Sequence, residues 1–328
     1  MITDKLGREK GFLEHCGVNI VIGDENNFEI KIQSTLYDAD KHGKNCRFFC
    51  LDTEYGGLIR SSHPVTADNI VKLTGMTWRG LLNQRAINPN KNSYIYLDGE
   101  ANSVLKAYIS RLGMREIFEV SDDDSGITLK NYQVPLQSML MDAFDEALSA
   151  QNARLEIKYV RGEANGKGYV LLKVVPVLDH SENIELNEDG SVKLDILDYK
   201  NGVNHLICYG KGELEERQRV DLYAWPGGKI KKSPYYSGMD IIEEYYENNS
   251  VESLEELEEE GIKKLEELRD YRQLKISVGS GRSLELGDIV GGRERITGVY
   301  MAAPVIRKDI DVTGKGRMTT TYKLKGED

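Results

Sequence analysis

The sequence lacks the features that mark membrane proteins and nucleic-acid-binding proteins. No apolar run among its 328 residues approaches the roughly 20 residues that a membrane-spanning helix needs. Its 54 acidic side chains outnumber the 43 basic ones, which gives a formal net charge of −11. Because phosphate contacts require clustered Lys and Arg, we expect neither a membrane span nor a nucleic-acid partner.

Signals for disulfide formation and for secretion are also missing. The few cysteines suit reduced, mostly buried thiols better than a disulfide framework. They are Cys16, Cys46, Cys50 and Cys208. Residues 1–5 contain no apolar core of a signal peptide. We therefore expect the chain to be made and folded in a cytoplasm.

The abundant residues point to β structure. The chain has 32 glycines and 18 tyrosines but only 7 prolines, a composition typical of many turns and half-buried sheets. Its length favours two to four domains. Within residues 1–98, short alternating strands such as 18–22 and 28–32 are separated by turn signals, which indicates a small barrel or a sandwich.

A helical pattern begins after Gly99. Apolar residues at helical spacing predict an amphipathic helix over 101–112 and a second over 136–148, with Pro135 near its first turn. Two alternating strands follow, so residues 99–183 form a helix-helix-hairpin unit of α/β type.

The stretch 201–217 marks the return to β structure. Asn201 and Gly202 predict a tight type I′ turn, and residues 203–209 then alternate as a strand. A double-glycine bend and a charged return strand that begins with Arg217 follow. The residues of this stretch that we select are Asn204, His205, Gly210, Gly212 and Arg217.

The last third of the chain repeats the alternation of patterns. A helix with Ser250 as its N-cap precedes a strand, and further strands run to the end of the sequence. The order along the chain is therefore β, α/β, β, α/β, β. We interpret the chain as an α+β multidomain protein.

The sequence carries no complete signature of an active site or a cofactor site. Gly210-x-Gly212 lacks the third glycine and the following helix of a phosphate-binding loop, so we favour a strand-end turn. Cys46 and Cys50, with Cys16 or His42, form only half of a zinc pattern. We favour buried thiols, because Cys50 lies in an apolar strand. We expect no metal and no cofactor.

No histidine stands out as a catalytic base. The five histidines are scattered, and His205 lies inside a predicted strand. A hydrogen-bonded structural role is therefore favoured over general-base catalysis.

Trp78 and Arg79, near a predicted helix start, allow two interpretations of equal weight. In one, Trp78 is core and Arg79 points to solvent. In the other, the pair lies at an interface and Arg79 meets a carboxylate such as Glu54.

Several segments together carry a family resemblance. They are residues 28–30, 54–59, 75–82, 204–214 with Arg217, and 286–293 with Thr297 and Gly298. In their order and spacing they resemble a family of phage tail proteins from phages and prophages of Gram-positive bacteria, related to the Gp37-like tail proteins of siphophages. The structural or assembly candidates among them are Glu54, Gly56, Gly57, Trp78, Arg79, Gly80, Asn204, His205, Gly210, Gly212, Arg217, Gly287 and Asp288.

The resemblance implies the phage tail-hub fold, in which two β-barrel-like domains are interleaved with two smaller α/β domains. On this plan, residues 1–98 form the first barrel-like domain and 99–183 the first α/β domain. Residues 184–232 with 285–328 form the second barrel-like domain, and 233–284 form a small helix-strand domain.

The resemblance also implies a function. A protein of this family is a non-enzymatic virion protein, made in the bacterial host cytoplasm and placed in the tail tip or baseplate. As a homotrimeric hub or adaptor it joins the tail tube and the distal tail ring to the fibre apparatus. Its expected partners are further copies of itself, the distal tail protein, the tape-measure protein and a tail fibre or tip protein.

Two alternatives remain open at the level of sequence. One is a cell-wall-directed hydrolase that uses carboxylates and His205. The other is a carbohydrate- or receptor-binding module that uses exposed Tyr and Trp side chains. Because no peptidase or fibre extension follows residue 328, we expect any degradation of the cell wall to belong to a partner.

Overall fold

A computed structural model describes most of the chain. The described residues are 1–88, 94–162, 167–181, 185–186, 192–251, 253–279, 284–293, 296, 298 and 300–326. Thr297 and the predicted boundary at 183–184 lie outside them.

Strands dominate the described residues, with few helices between them. The strands are β1 (Ile2–Thr3), β2 (Glu9–Gly11), β3 (Gly17–Ile22), β4 (Asn27–Gln33), β5 (Arg47–Phe49), β6 (Gly56–Val65), β7 (Ile70–Thr77), β8 (Ile95–Glu100), β9 (Phe118–Val120), β10 (Thr128–Val134), β11 (Ala153–Val160), β12 (Tyr169–Pro176), β13 (Glu185–Leu186), β14 (Val192–Tyr199), β15 (His205–Tyr209), β16 (Arg219–Ala224), β17 (Ile230–Lys231), β18 (Glu243–Glu247), β19 (Tyr271–Gly279), β20 (Ile289–Arg293), β21 (Tyr300–Val312) and β22 (Met318–Gly326). The α-helices are α1 (Ala39–His42), α2 (Trp78–Leu82), α3 (Ala101–Arg111), α4 (Leu140–Ser149) and α5 (Leu254–Leu268).

The chain divides into two compact units. Unit 1 comprises Met1–Lys193, Ile276–Gly291 and Pro304–Lys323, and unit 2 comprises Leu194–Lys275, Gly292–Ala303 and Leu324–Asp328. This division does not test the predicted scheme of four domains, which stays a prediction.

A long antiparallel sheet organises unit 1. Its hydrogen-bonded order includes β21-β3-β4-β7-β6-β5-β1-β2. In β4 the alternating side chains Phe28, Ile30 and Ile32 are buried, as the period of two in the sequence predicts. They form a core with side chains of β3, β6 and β7.

A second core of unit 1 lies around its helices. Side chains of α2, α3 and α4 pack on the three-stranded sheet β11-β12-β9, in which β9 runs parallel to β12. Trp78, Leu105, Phe144 and Tyr159 are among its fully or nearly fully buried members. This is the helix-and-hairpin arrangement that the period of 3.6 predicts for residues 101–176.

Unit 2 contains a four-stranded sheet with the order β17-β16-β15-β18. Helix α5 covers one face of this sheet, where Leu257 and Leu265 pack against Leu206 and Leu222. Gly261 permits this close packing, because a Cβ at this position would lie 2.6 Å from Cys208 Sγ.

The mostly-β architecture with few helices agrees with the predicted fold class. The two predicted barrels are not confirmed, because no closed barrel is found among the residues that the structure describes. The barrel-like domains and their interleaved order therefore stay predictions.

Two predicted helix starts are wrong. Helix α4 begins at Leu140 rather than 136, because Gln137 has a φ of +65°, a left-handed conformation that a helix cannot run through. Helix α5 begins after Ser253, whose hydroxyl accepts a hydrogen bond from Glu256 N at 3.1 Å. Ser250 instead donates its backbone N–H to the Asn248 side chain.

Candidate functional site

The candidate residues form two groups, one in each unit. Glu54, Gly56, Gly57, Trp78, Arg79, Gly80, Gly287 and Asp288 belong to unit 1, and Asn204, His205, Gly210, Gly212 and Arg217 belong to unit 2.

The strand β15 carries the centre of the unit 2 group. Asn204 lies just before it and joins it to the start of β18, since its side-chain amide donates to Asp240 O at 2.7 Å and accepts from Ile242 N at 3.0 Å. Asn204 therefore fixes where β18 begins beside β15.

His205 lies between two carboxylates. Its Nδ1 is 2.7 Å from Glu243 Oε1 on β18, and its Nε2 is 2.9 Å from Asp221 Oδ1 on β16. The ring also stacks on Tyr223, with ring centroids 4.3 Å apart. Because both ring nitrogens are engaged within the sheet, the geometry ties three strands together and leaves neither nitrogen open to a substrate.

Asp221 is also held by an arginine. Arg219 forms a two-point contact with it, at 2.8 Å and 2.7 Å. The hydrogen bond from Arg219, with a smaller contribution from His205, lowers the pKa of Asp221.

The turn before this strand differs from the prediction. Neither Asn201 nor Gly202 has the positive φ that a type I′ turn requires. Gly202 is needed for a close approach instead, because a Cβ there would lie 2.2 Å from the backbone of Asp270. Asp270 also accepts the backbone N–H of Gly202 at 2.8 Å.

The bend after the strand follows the prediction at both glycines. Gly212 has a φ of +116°, and a Cβ on Gly210 would lie 2.7 Å from the Gln218 side chain. Arg217 donates to Gly210 O at 3.1 Å and pairs with Glu247, so it holds the bend against β18. Arg217 precedes β16, which begins at Arg219, and does not open the return strand as predicted.

Glu54 and Arg79 form the centre of the unit 1 group. Arg79 Nε donates to Glu54 Oε1 at 2.7 Å, and both side chains are at most 5% exposed. Arg79 also donates to Leu155 O at 3.2 Å and lies 3.6 Å from Asp145. Burial opposes the charge of Arg79, but the carboxylates of Glu54 and Asp145 outweigh it and raise its pKa. The interpretation of Arg79 as a solvent-exposed side chain is wrong.

Trp78 and the neighbouring glycines are packing residues in this structure. Trp78 is fully buried and stacks on Tyr159 at 5.7 Å. A Cβ on Gly56 would lie 2.7 Å from Trp78 Nε1, and one on Gly57 would lie 2.3 Å from Met76 O. A Cβ on Gly80 would lie 2.4 Å from Asn26 O.

Asp288 has a partner that sequence reasoning missed. Arg154 on β11 holds it with two hydrogen bonds, at 2.7 Å and 3.1 Å, and Leu178 N donates to it at 2.9 Å. Gly287, with a φ of +87°, lies against the Arg154 side chain. A cavity of about 240 Å³ in unit 1 is lined by Arg79, Arg154 and Gly287 among others. The structure therefore brings the surroundings of Arg79 and those of Asp288 to one cavity.

Lys308 is a further buried charge that was not predicted from the sequence. Its side chain is fully buried and pairs with Glu285, with Nζ 5.9 Å from the centroid of the Tyr55 ring. The burial pattern of β21 changes parity near Ile306 and Arg307, which turns Lys308 towards the core. A lysine two residues before the buried Ile310 is the signal from which alternation predicts this.

The cysteines do not form a group suited to a metal. Cys50 is exposed rather than buried, because β5 ends at Phe49, while Cys16, Cys46 and Cys208 are buried. Cys46 donates its thiol to Asp40 O at 3.4 Å. Within the described ranges, no three His, Cys, Asp or Glu side chains come together as a metal site would require.

Unit 2 also has a larger cavity, of about 600 Å³. Its lining residues come from segments before and after β15 in the sequence, and include Val203, Trp225, Tyr236, Asp240 and Asp270.

Among the helices that the structure describes, none has the length and apolar character to cross a bilayer.

The fold matches that of phage tail proteins. One is a tail protein from Neisseria meningitidis MC58, with 12% identity, a TM-score of 0.51, and coverage of 99% of this chain and 96% of that one. Another is the 43 kDa tail protein of prophage MuSo2 from Shewanella oneidensis, with 9% identity, a TM-score of 0.53, and coverage of 94% and 93%. The chain has the fold of these tail proteins.

Comparison of the sequence itself gives no family assignment, since no protein-family model and no curated protein matches the chain. Neither structural similarity tests the Gram-positive or Gp37-like part of the resemblance, which stays a prediction.

Proposed function

We propose that the chain is a structural protein of a phage or prophage tail tip, a hub or adaptor that joins the tail tube and the distal tail ring to the fibre apparatus. The observation that carries this proposal is the likeness of fold to two phage tail proteins over 99% and 94% of the chain. A similarity that extends over the whole chain supports a shared architecture better than a match of one domain.

In this proposal the chain acts through geometry rather than catalysis. The charged candidates are engaged in internal contacts, namely Arg79 with Glu54, Arg154 with Asp288, and His205 with two carboxylates. A general base needs a position from which it reaches a substrate proton, and His205 meets neighbouring strands on both sides. These contacts support a rigid assembly component that is not an enzyme.

Assembly is the second part of the proposal. Copies of the chain form a homotrimer within the virion tail, and the ring they close contacts the distal tail protein, the tape-measure protein and a tail fibre or tip protein. The protein is made in the host cytoplasm and reaches the tail tip as part of this assembly.

The test is tail assembly with and without the chain. Particles are purified from cells that carry or lack its gene, tails are imaged, and the chain is quantified in the tail fraction. We expect the chain at a fixed stoichiometry in tails, and tails without a tip when it is missing. Normal, infectious tails that lack the chain would contradict the proposal.

The hydrolase alternative has its own test. Purified chain is assayed for clearing of Gram-positive cell walls, and His205→Ala is compared with the wild type. Clearing by the wild type that disappears in His205→Ala would replace the structural proposal with the enzymatic one, and specific hits on a glycan array would favour the binding module.

A further inference from the structure

We propose that copies of the chain join edge to edge through the four-stranded sheet of unit 2, with β18 of one copy beside β17 of the next. The proposal rests on the function proposed above, since it names the surface through which a self-assembling tail protein contacts itself. Three observations carry it: an open edge at each side of this sheet, opposite charge on the two edges, and exposed apolar side chains near them.

The first edge is β18, the terminal strand of the sheet on one side. Among the strands that the structure describes, its backbone pairs only with β15, in parallel, with Cα partners from His205 and Glu243 to Tyr209 and Glu247. Ile242 O and Asn248 N bond to the β15 side. Because these groups alternate along a strand, the N–H and C=O of Tyr245 point to the outer edge. Tyr245 N accordingly donates to the Glu244 side chain and not to β15.

Negative charge lines the β18 edge. The acidic residues in or just before this strand are Asp240, Glu243, Glu244 and Glu247, and all of them are exposed. Glu243 and Glu247 are occupied by His205 and Arg217. Asp240 and Glu244 leave this edge acidic.

Positive charge lines the opposite edge. Strand β17 ends the sheet on the other side, and Lys229, Lys231 and Lys232 lie in or beside it, all exposed. Lys231 Nζ is 3.6 Å from the centroid of the Trp225 ring, a cation–π contact. Lys232 pairs with Glu258 on α5 at 2.7 Å.

Charges on a sheet edge commonly serve only to prevent aggregation. Edges of the same sign would in addition repel each other between copies. Here the signs are opposite, so the two edges of different copies attract each other. Large side chains near the β18 edge are also exposed, with Tyr245 at 68%, Met239 at 98% and Ile241 at 40%. Exposed apolar side chains grouped in this way are typical of protein interfaces.

Strand directions define the kind of contact. Strand β16 runs antiparallel to both β15 and β17, and β18 runs parallel to β15, so β17 and β18 run in the same direction. If the sheet continues from one copy to the next, β18 therefore pairs with β17 in parallel. Such a head-to-tail contact uses two different surfaces and closes into a ring when the rotation between copies allows it.

The test uses charge reversal at one residue on each edge. Glu244→Lys reverses the charge at one position of the β18 edge without removing the partners of His205 or Arg217, and Lys229→Glu reverses the charge at one position of the β17 edge. The full-length proteins are compared by analytical ultracentrifugation at low and high salt. We expect each single variant to self-associate at least about tenfold more weakly than the wild type, and added salt to weaken the wild-type contact.

Recombination of the variants separates this contact from a general loss of charge. The double variant Glu244→Lys with Lys229→Glu is expected to self-associate again. A mixture of the two single variants is expected to associate only by alternation, which closes rings of even number but no trimer. Glu266→Lys and Lys263→Glu on the exposed face of α5 are the matched controls and should leave association unchanged.

A backbone variant tests the strand pairing itself. Tyr245→Pro removes an outward N–H without removing a bond to β15, and Tyr245→Phe keeps that N–H. We expect association to be lost in the first variant and retained in the second, with circular dichroism spectra like that of the wild type.

The outcomes distinguish this inference from the proposed function. A wild-type oligomer that the edge variants leave intact overturns the edge contact and leaves the tail proposal standing. A wild-type chain that stays monomeric at about 100 µM overturns self-association through this surface. In that case the presence or absence of the chain in purified tails still decides the tail proposal.

Discussion

At the scale of single residues, buried charge is retained where a partner of opposite charge meets it. Arg79 and Glu54 are both almost fully buried and are joined at 2.7 Å, and Arg154 meets Asp288 in the same way. Desolvation of such ions is costly, and most of that cost is recovered only while both partners are present. Removal of one member of such a pair should therefore lower the free energy of unfolding.

We predict that Arg79→Met lowers the free energy of unfolding by about 3–5 kcal/mol, because it leaves Glu54 as an unpaired buried charge. Adding Glu54→Gln should recover part of the loss. Urea unfolding measures both. The exposed pair of Lys264 and Glu267 is the control, and Lys264→Met should change stability by less than about 1 kcal/mol. Equal losses in the single and double variants would contradict the ion-pair explanation.

Glycine has a second role at this scale, since several glycines leave room for a neighbouring backbone. We predict that Gly57→Ala lowers the free energy of unfolding by about 1–3 kcal/mol, because the new methyl group overlaps Met76 O and the Phe28 ring. Gly314→Ala is the matched control, because a Cβ there meets nothing within 4 Å. Thermal unfolding compares the two, and an unchanged melting temperature for Gly57→Ala would be the contrary result.

At the scale of elements, the start of α3 depends on one carboxylate. Glu100 accepts from Asn102 N at 3.0 Å, from Ser103 N at 2.7 Å and from Ser125 N at 3.0 Å. Burial alone would raise its pKa, but the hydrogen bonds from Ser125, Asn102 and Ser103 outweigh burial and lower the pKa to about 2. The ionised form therefore stabilises the folded state.

This cap predicts a dependence of stability on pH. The unfolded-state pKa of a Glu is 4.5, so the contribution of Glu100 is complete above that pH and is lost as the pH falls towards 2. We expect Glu100→Gln to cost about 1 kcal/mol at neutral pH, and the difference from the wild type to shrink as the solution is acidified. Urea unfolding at several pH values measures this. Glu116→Gln, at an exposed site outside the helix, should show no comparable dependence.

At the scale of the whole molecule, each unit has its own apolar core. Phe144 is among the buried residues of unit 1, and Leu257 is among those of unit 2. Each core holds its own secondary structure, so loss of packing in one unit should first loosen that unit.

We predict that Leu257→Ala costs about 2–5 kcal/mol and raises amide hydrogen exchange mainly in residues 194–275. Phe144→Ala should raise it mainly in unit 1. Hydrogen-exchange mass spectrometry measures the exchange of each unit in both variants, and each variant serves as the control for the other. Equal loosening of both units by either variant would show that the chain opens as one cooperative body.

The sequence by itself determined the elements whose signal is local. A period of two in residues 28–32 and a period of 3.6 after Gly99 predict β4 and α3, and both are present. Gly210 and Gly212 likewise indicate a bend from their own conformational freedom. Such patterns depend on neighbours only a few residues away, and the printed sequence contains all of them.

Only the tertiary structure decided which charges are buried and which strands remain open. Arg154 and Asp288 are 134 residues apart in sequence, and no local pattern pairs them. The strand at 203–209 was predicted from alternation, but its neighbours β16 and β18, the two carboxylates beside His205 and the oppositely charged outer edges follow from strand order. Strand order is set by contacts distant in sequence, which a period of two does not encode.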